Sequence, residues 1–246
     1  MIRLCYYVEG QTEQAFVALV LKPHLAGFGV MVMGAVLAAS GRSGGRVVCG
    51  GGRSYPVMRN DLRRLLKQDA HADIRFTTLF DLYALYDDFP GRDDREAQQP
   101  GVYQRVRHLE ERFAADVGDR RFIPHIQLHE YEAVLLSRPD EFALLYDNPG
   151  KGIATLAEAV AKAGGPELVN DSYDTCPSRR IKTEFPRYGK LADGPELAAA
   201  IGLPTIRSAC PHFDCWLKTL EGLTVQGVGE PPVRPAGLVN DGPAPL

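Results

Sequence analysis

Apolar residues recur with two different periods along this chain, and the switches between them mark out its elements. The opening IRLCYYV is an almost unbroken apolar run, which predicts a strand buried on both faces. TEQAFVALVLKPHLAG follows with apolar positions three and four apart, which predicts a helix with Thr12 at its N-cap. GVMVMGAVLA is a second predicted strand and ADIRFTTLFDLYAL a third, with the amphipathic helix VMRNDLRRLLKQD between them. After a polar, turn-rich loop, VYQRVRHLEERFAADVG returns to the helical period, RFIPHIQLHE reads as a strand, and EYEAVLLS as the helix it enters. Strands alternating with helices predict an α/β fold with a mainly parallel sheet flanked by helices.

Past residue 139 the pattern shortens. DEFALLY, IATLAEAVAKAG, PELAAAIGL and SACPHFDCWLKTLEGL predict short helices, and NDSYDTCPSRRIKTEFPRYGKLADG predicts a long irregular stretch among them. Three regions follow: an α/β core over 1–138, a helical elaboration with a basic loop over 139–223, and a flexible Gly/Pro/Val-rich tail over 224–246.

Composition narrows the function more than the fold. With 246 residues, 45% hydrophobic and 24% charged, the chain is able to bury a sizeable core. A net charge of -3 means that any nucleic-acid contact must come from a local basic patch rather than from bulk charge. No apolar run reaches the roughly 18 residues of a membrane span, and the sequence opens directly on a strand, so the expected location is cytoplasmic. Five cysteines without a CxxC do not form a disulfide framework. Cys210 and Cys215 bracket His212 and Asp214, but their spacing does not match a zinc knuckle.

The candidate chemistry is carboxylate chemistry. Glu9 ends the first predicted strand, Asp81 lies near the end of the third, and Glu130 and Glu132 follow the fourth, so three strands aim acids at one sheet edge, where open α/β sheets collect ligand-binding groups. Glu13 joins them one helical turn past Gly10, whose lack of a side chain permits a tight backbone path. Hard oxygen donors gathered in this way suit Mg²⁺ or Mn²⁺ acting on a phosphoryl group. The alternative for Glu13 and Glu130 is electrostatic support of their own helix starts, and for Asp87 and Asp88 an ordinary loop. PSRRIKTEFPRYGK gathers Arg179, Arg180, Lys182, Arg187 and Lys190 around Phe185 and Tyr188, a set suited to phosphates and base stacking, or to a solvated surface. Arg42, Arg46 and Arg53 form a second candidate phosphate-facing segment, without the GK[ST] of a P-loop. His129 is placed to orient a carboxylate or protonate a leaving group, and His125 to sit in the core.

YYVEGQTE resembles the first motif of Toprim domains, the catalytic module of topoisomerases, bacterial primases and OLD-type nucleases. Taken in order, YVEGQTE, TTLFDLYAL, RFIPHIQLHEYEAVLL, CPSRRI and CPHFDCWL resemble a bacterial Toprim-like family of domains of unknown function, over about residues 3 to 223. The resemblance implies a Toprim-like (Rossmann-like) core, with Glu9 as metal ligand or general base, Glu13 as the added acid and Asp81 as the first aspartate of DxD. Tyr83 stands where the second aspartate would be, so Glu130, Glu132 or the acids of YDDF, Asp87 and Asp88, would have to replace it. It further implies a metal-dependent nuclease acting beside an ABC-type ATPase in prokaryotic anti-phage defence. The alternative is a non-catalytic docking or regulatory subunit, which the missing aspartate favours.

Overall fold

The computed structural model describes residues 1–38, 41–43, 46–48, 54–98, 101–169 and 175–223. Its framework is a parallel sheet in the order β2 (Val30–Leu37), β1 (Ile2–Val8), β5 (Ile74–Asp81) and β6 (Phe122–Ile123), with β7 (Ile126–Gln127) also paired to β5. Strand β1 (Ile2–Val8) runs parallel to β2 (Val30–Leu37) on one side and to β5 (Ile74–Asp81) on the other. All eight residues of β5 are buried, and the polar ones in IRFTTLFD each find partners: Arg75 Nη1 donates to the Ala72 carbonyl at 2.7 Å, Thr77 Oγ1 to the Ile123 carbonyl at 2.7 Å and Thr78 Oγ1 to that of His125 at 2.9 Å, while Asp81 accepts from the Tyr131 amide. The α/β expectation therefore stands, as a parallel sheet flanked by helices.

Two apolar layers cover the sheet. On one face Cys5, Tyr7, Phe76 and Phe80 pack beneath α3 (Tyr55–Gln68) and α4 (Val102–Val117). On the other face Leu4, Tyr6, Val8 and Leu79 join α1 (Gln11–Phe16), whose axis continues through a π-helical stretch, Val17–Leu21, into α2 (Lys22–Ala26). The same layer holds residues of α5 (Gly150–Ala163), α6 (Pro177–Glu184), α7 (Lys190–Ile201), α8 (Leu203–Ala209) and α9 (Pro211–Glu221). The helices after residue 139 thus share one core with β1 rather than building their own.

Several expected elements take a different form. The predicted third strand stops at Asp81, and Leu82–Ala84 is a 3₁₀ turn. The predicted strand 121–130 is reduced to β6 (Phe122–Ile123) and β7 (Ile126–Gln127), because Pro124 between them has no N–H for the ladder. Its expected helix is a 3₁₀ run, Tyr131–Ser137. The glycine- and arginine-rich segment contains the short antiparallel hairpin of β3 (Gly41–Ser43) and β4 (Arg46–Val48), while Arg53 and the tail 224–246 lie outside the described residues.

The stretch expected to be irregular contains α6 and the start of α7. Pro177 at the first turn of α6 and the buried Ile181 and Phe185, four apart, are the signals that make this segment helical. Helices α6 and α9 start alike, with a cysteine at the N-cap, proline next, and no capping side chain of their own. Remote glutamates serve instead. Glu130 accepts from the Ser178 amide at 2.9 Å, and Glu167 accepts from the His212 and Phe213 amides at 3.0 Å each.

Candidate metal and phosphate site

Asp81 is the hinge of the acidic group. Its Oδ1 accepts from the Tyr131 amide at 2.8 Å, and its own amide donates to Glu9 Oε2 at 3.2 Å. The ends of β1 and β5 and the start of the 3₁₀ run are therefore tied together through two carboxylates. Glu13 is buried where α1 meets α7. A side chain on Gly10 would place its Cβ 2.8 Å from Glu13 Oε2, so any larger residue there would have to displace the Glu13 carboxylate. The backbone at Gly10 is ordinary extended chain, with φ −143°, which corrects the expectation of a tight path that only glycine follows. Gly10 also holds the N-cap position expected for Thr12, which is buried instead.

Glu132 is fully buried and faces Lys190, whose Nζ lies 3.0 Å from Glu132 Oε2 and 3.8 Å from Asp81 Oδ2. Tyr188 donates to Glu132 Oε1 at 3.4 Å. Lys190 is held at the first position of α7, whose N-cap amide, that of Gly189, donates to Asp193 Oδ2 at 2.7 Å. The structure thus gathers Glu9, Glu13, Asp81 and Glu132 around the ends of β1 and β5, with Lys190 paired to Asp81 and Glu132, but no three of these acids bring ligand atoms within 4.8 Å of one another. Glu130 stands at the rim, with Oε2 engaged by the Ser178 amide and Oε1 by Ser178 Oγ at 3.1 Å.

Four acids against one ammonium leave negative charge out of water, and the proton affinities follow. Burial pushes Glu9 up to about 7, with the Asp81 amide opposing and Glu13 adding to it. Asp81 is pushed well above the usual carboxylate range by burial, against the pull of Lys190, and Glu132 rises for the same two reasons. Burial works against the charge on Lys190, but Asp81, Glu132 and Glu13 outweigh it and hold the ammonium above its ordinary range. His129 is also buried, in the left-handed region at φ 61°, and burial lowers it to about 4, so it is neutral at pH 7. Its ring lies 5.3 Å from that of Tyr83, which is exposed. Beside Glu9, on the α3 side of the sheet, a small cavity of 30 Å³ is lined by Met58, Phe80 and Leu85.

Of the basic residues, Arg179 and Lys182 are exposed on α6, at the rim that Glu130 fixes. Arg180 Nε donates to the Thr175 carbonyl at 2.6 Å, and Lys190 turns to the acids instead of lying on an exposed basic loop. Phe185 and Tyr188, expected to stack on bases, are buried: Phe185 packs on Phe142 and Tyr146, with ring centroids 4.8 and 4.9 Å away. Their four- and seven-residue spacing from Ile181 is the signal that they belong to a core.

A second cluster was not legible in the sequence. Glu110, His125 and His212, from α4, the β6–β7 link and α9, bring potential ligand atoms within 4.8 Å of one another, as do the more exposed Asp94, Glu96 and His108. In the first of these, the His125 ring stacks on His212 at 4.9 Å and 21° and on Trp216 at 4.2 Å and 11°. Nearly parallel rings do not aim in-plane lone pairs at one ion. Glu110 Oε1 instead accepts from the Ile126 amide at 2.9 Å and lies 3.1 Å from His212 Nε2, which is also 3.1 Å from the Ile126 carbonyl. Two acceptors around one ring nitrogen make Nε2 the protonated one. CPHFDCWL is therefore a structural motif, locking α9 to the sheet through His212, Phe213 and Trp216, whose Nε1 donates to Thr77 Oγ1 at 2.9 Å.

Fold and site together define a parallel α/β protein with an acidic, lysine-paired pocket at the carboxyl ends of its central strands. Residues 8–221 match DUF4276, a domain of unknown function, and the chain belongs to that family. No curated protein and no solved structure matches it.

Proposed function

We propose that this chain is a divalent-metal-dependent nuclease with a Toprim-like core, acting in the cytoplasm beside an ABC-type ATPase in prokaryotic anti-phage defence. The observation that carries this reading is the gathering of four buried or half-buried acids, Glu9, Glu13, Asp81 and Glu132, about the ends of β1 and β5, where burial raises Glu9, Asp81 and Glu132 and Lys190 pairs with two of them. Such a donor set, all oxygen and charge-rich, fits a hard divalent cation. Glu9, Asp81 and Glu13 would hold Mg²⁺ or Mn²⁺, which when bound supplies polarisation of a phosphoryl oxygen and a more acidic water. Glu132 orients Lys190, whose ammonium would meet a phosphate oxygen. Glu130 sets α6 at the pocket rim, where Arg179 and Lys182 would track the backbone of DNA or RNA. Among the described residues no helix is long and apolar enough to cross a membrane.

A second reading, a non-catalytic docking or regulatory subunit of an ATPase complex, is favoured by the two Lys190 ion pairs, which already neutralise part of the pocket, and by the tyrosine at position 83. Cleavage of end-labelled DNA and RNA with Mn²⁺, by the chain alone and with its ATPase, separates the two. The nuclease reading expects metal-dependent products that fall by at least about 100-fold in Glu9→Gln. Equal cleavage by that variant, or none by wild type in either setting, favours the docking subunit.

A further inference from the structure

Gln127 ends β7, in parallel register with Asp81 on β5. Register partners on neighbouring strands project side chains to the same face, with their Cβ atoms about 5 Å apart. The face is fixed by the preceding pair, because Phe80 and Ile126 both belong to the layer under α3 and α4. Asp81 and Gln127 therefore point to the opposite face, where Asp81 meets the Tyr131 amide and Lys190. Gln127 is 1% exposed, and neither its Oε1 nor its Nε2 has a hydrogen-bond partner. With both ends unpartnered, the amide's flip is immaterial. A buried amide unmatched at both ends weakens a fold, so a native protein that retains one has a reason for it, an ordered water, a functional role or a bound ion.

We propose that Gln127 is a further ligand of the carboxylate pocket, its amide oxygen completing the oxygen shell of the divalent cation held by Glu9 and Asp81. This rests on the metal-binding reading above and adds to it the donor that the tyrosine at position 83 does not supply. A cation rather than an anion is the partner, because the pocket beside Gln127 already holds Asp81 and Glu132 and would repel a free anion. A neutral oxygen also raises the coordination number without adding charge to a pocket that already carries excess.

The test is Mn²⁺ binding to the purified full-length chain by calorimetry, with melting of the metal-free protein alongside. Gln127→Met keeps the length and removes both polar atoms. Mn²⁺ affinity is expected to fall about tenfold or more, while the metal-free protein melts at the same or a higher temperature because an unmatched amide is gone. Affinity equal to wild type overturns the inference and leaves the metal pocket standing. Absence of Mn²⁺ binding by wild type overturns both. Should Gln127→Met fail to fold, Gln127→Glu decides. It keeps the oxygen at the same reach and adds a charge, so Mn²⁺ is expected to raise its melting temperature by more than it raises that of wild type, and a rise no larger overturns the inference.

Discussion

The acid pocket at the strand ends and the Glu110–His125–His212 network under α9 both hold carboxylates out of water, and burial raises acids beside both, Glu167 included, but the two differ in how many amide donors reach each carboxylate. In the network, Glu110 receives a backbone amide and lies beside a ring N–H, Glu167 receives two helix-start amides, and His125 stacks between His212 and Trp216. In the pocket, four acids share a few amides and one lysine, and Glu9, Asp81 and Glu132 are all driven toward protonation. A matched polar network stabilises the fold it sits in. A mismatched one is tolerated where a further charged partner completes it.

The largest expected losses of stability lie in the network under α9. Trp216→Ala is expected to cost about 3–5 kcal/mol in urea unfolding, because the ring is fully buried and its indole N–H is bonded, and added Mn²⁺ is expected not to restore the loss. Glu110→Ala is expected to cost about 2–3 kcal/mol by stranding the Ile126 amide and His212 Nε2. Losses under 1 kcal/mol in both variants would show that the network is not structural.

In the pocket the signs differ between residues. Lys190→Met removes the ammonium facing fully buried Glu132 and should destabilise the metal-free protein by about 1–2 kcal/mol, less than for a wholly buried pair because the lysine side chain is 43% exposed. Glu9→Gln acts the other way. A carboxyl raised from 4.5 to about 7 favours the folded state while protonated, so the metal-free protein loses stability as pH rises from about 4.5 through 7. Urea unfolding in EDTA across that range should show this decline flattened in Glu9→Gln, which at pH 8 is expected to be about 1–2 kcal/mol more stable than wild type. A parallel pH profile for the two proteins would mean that Glu9 is not strained in the fold.

The smallest stability effect belongs to the rim. Arg179→Ala and Lys182→Ala should each leave unfolding within about 0.5 kcal/mol of wild type. Each should also make the salt dependence of nucleic-acid affinity shallower by about one phosphate contact. An unchanged salt slope in the double variant removes α6 from the nucleic-acid surface.

The parts of this structure set by local pattern were legible in the sequence, and those set by distant contacts were not. Strands β1 and β5 are strand-forming, largely apolar runs, and the acids at their ends follow from where a parallel sheet turns into helix, so Glu9 and Asp81 could be placed together in advance. Glu132 was readable as an acid near the same edge, but its pairing with Lys190 spans 58 positions and depends on the capped start of α7. Treating PSRRIKTEFPRYGK as a loop hid that pairing, although Pro177 and the spacing of Ile181, Phe185 and Tyr188 carried a helix and a core. Gln127 gave no signal at all, since only the short β7 produced by Pro124 puts it in register with Asp81.

The most direct test of the account uses both clusters at once: crystals of the full chain soaked in Mn²⁺, with anomalous scattering used to locate the ion. The account predicts a peak bounded by Glu9, Glu13, Asp81 and Gln127, with none between Glu110, His125 and His212. A peak among the histidines, or no peak at the acids, would contradict it.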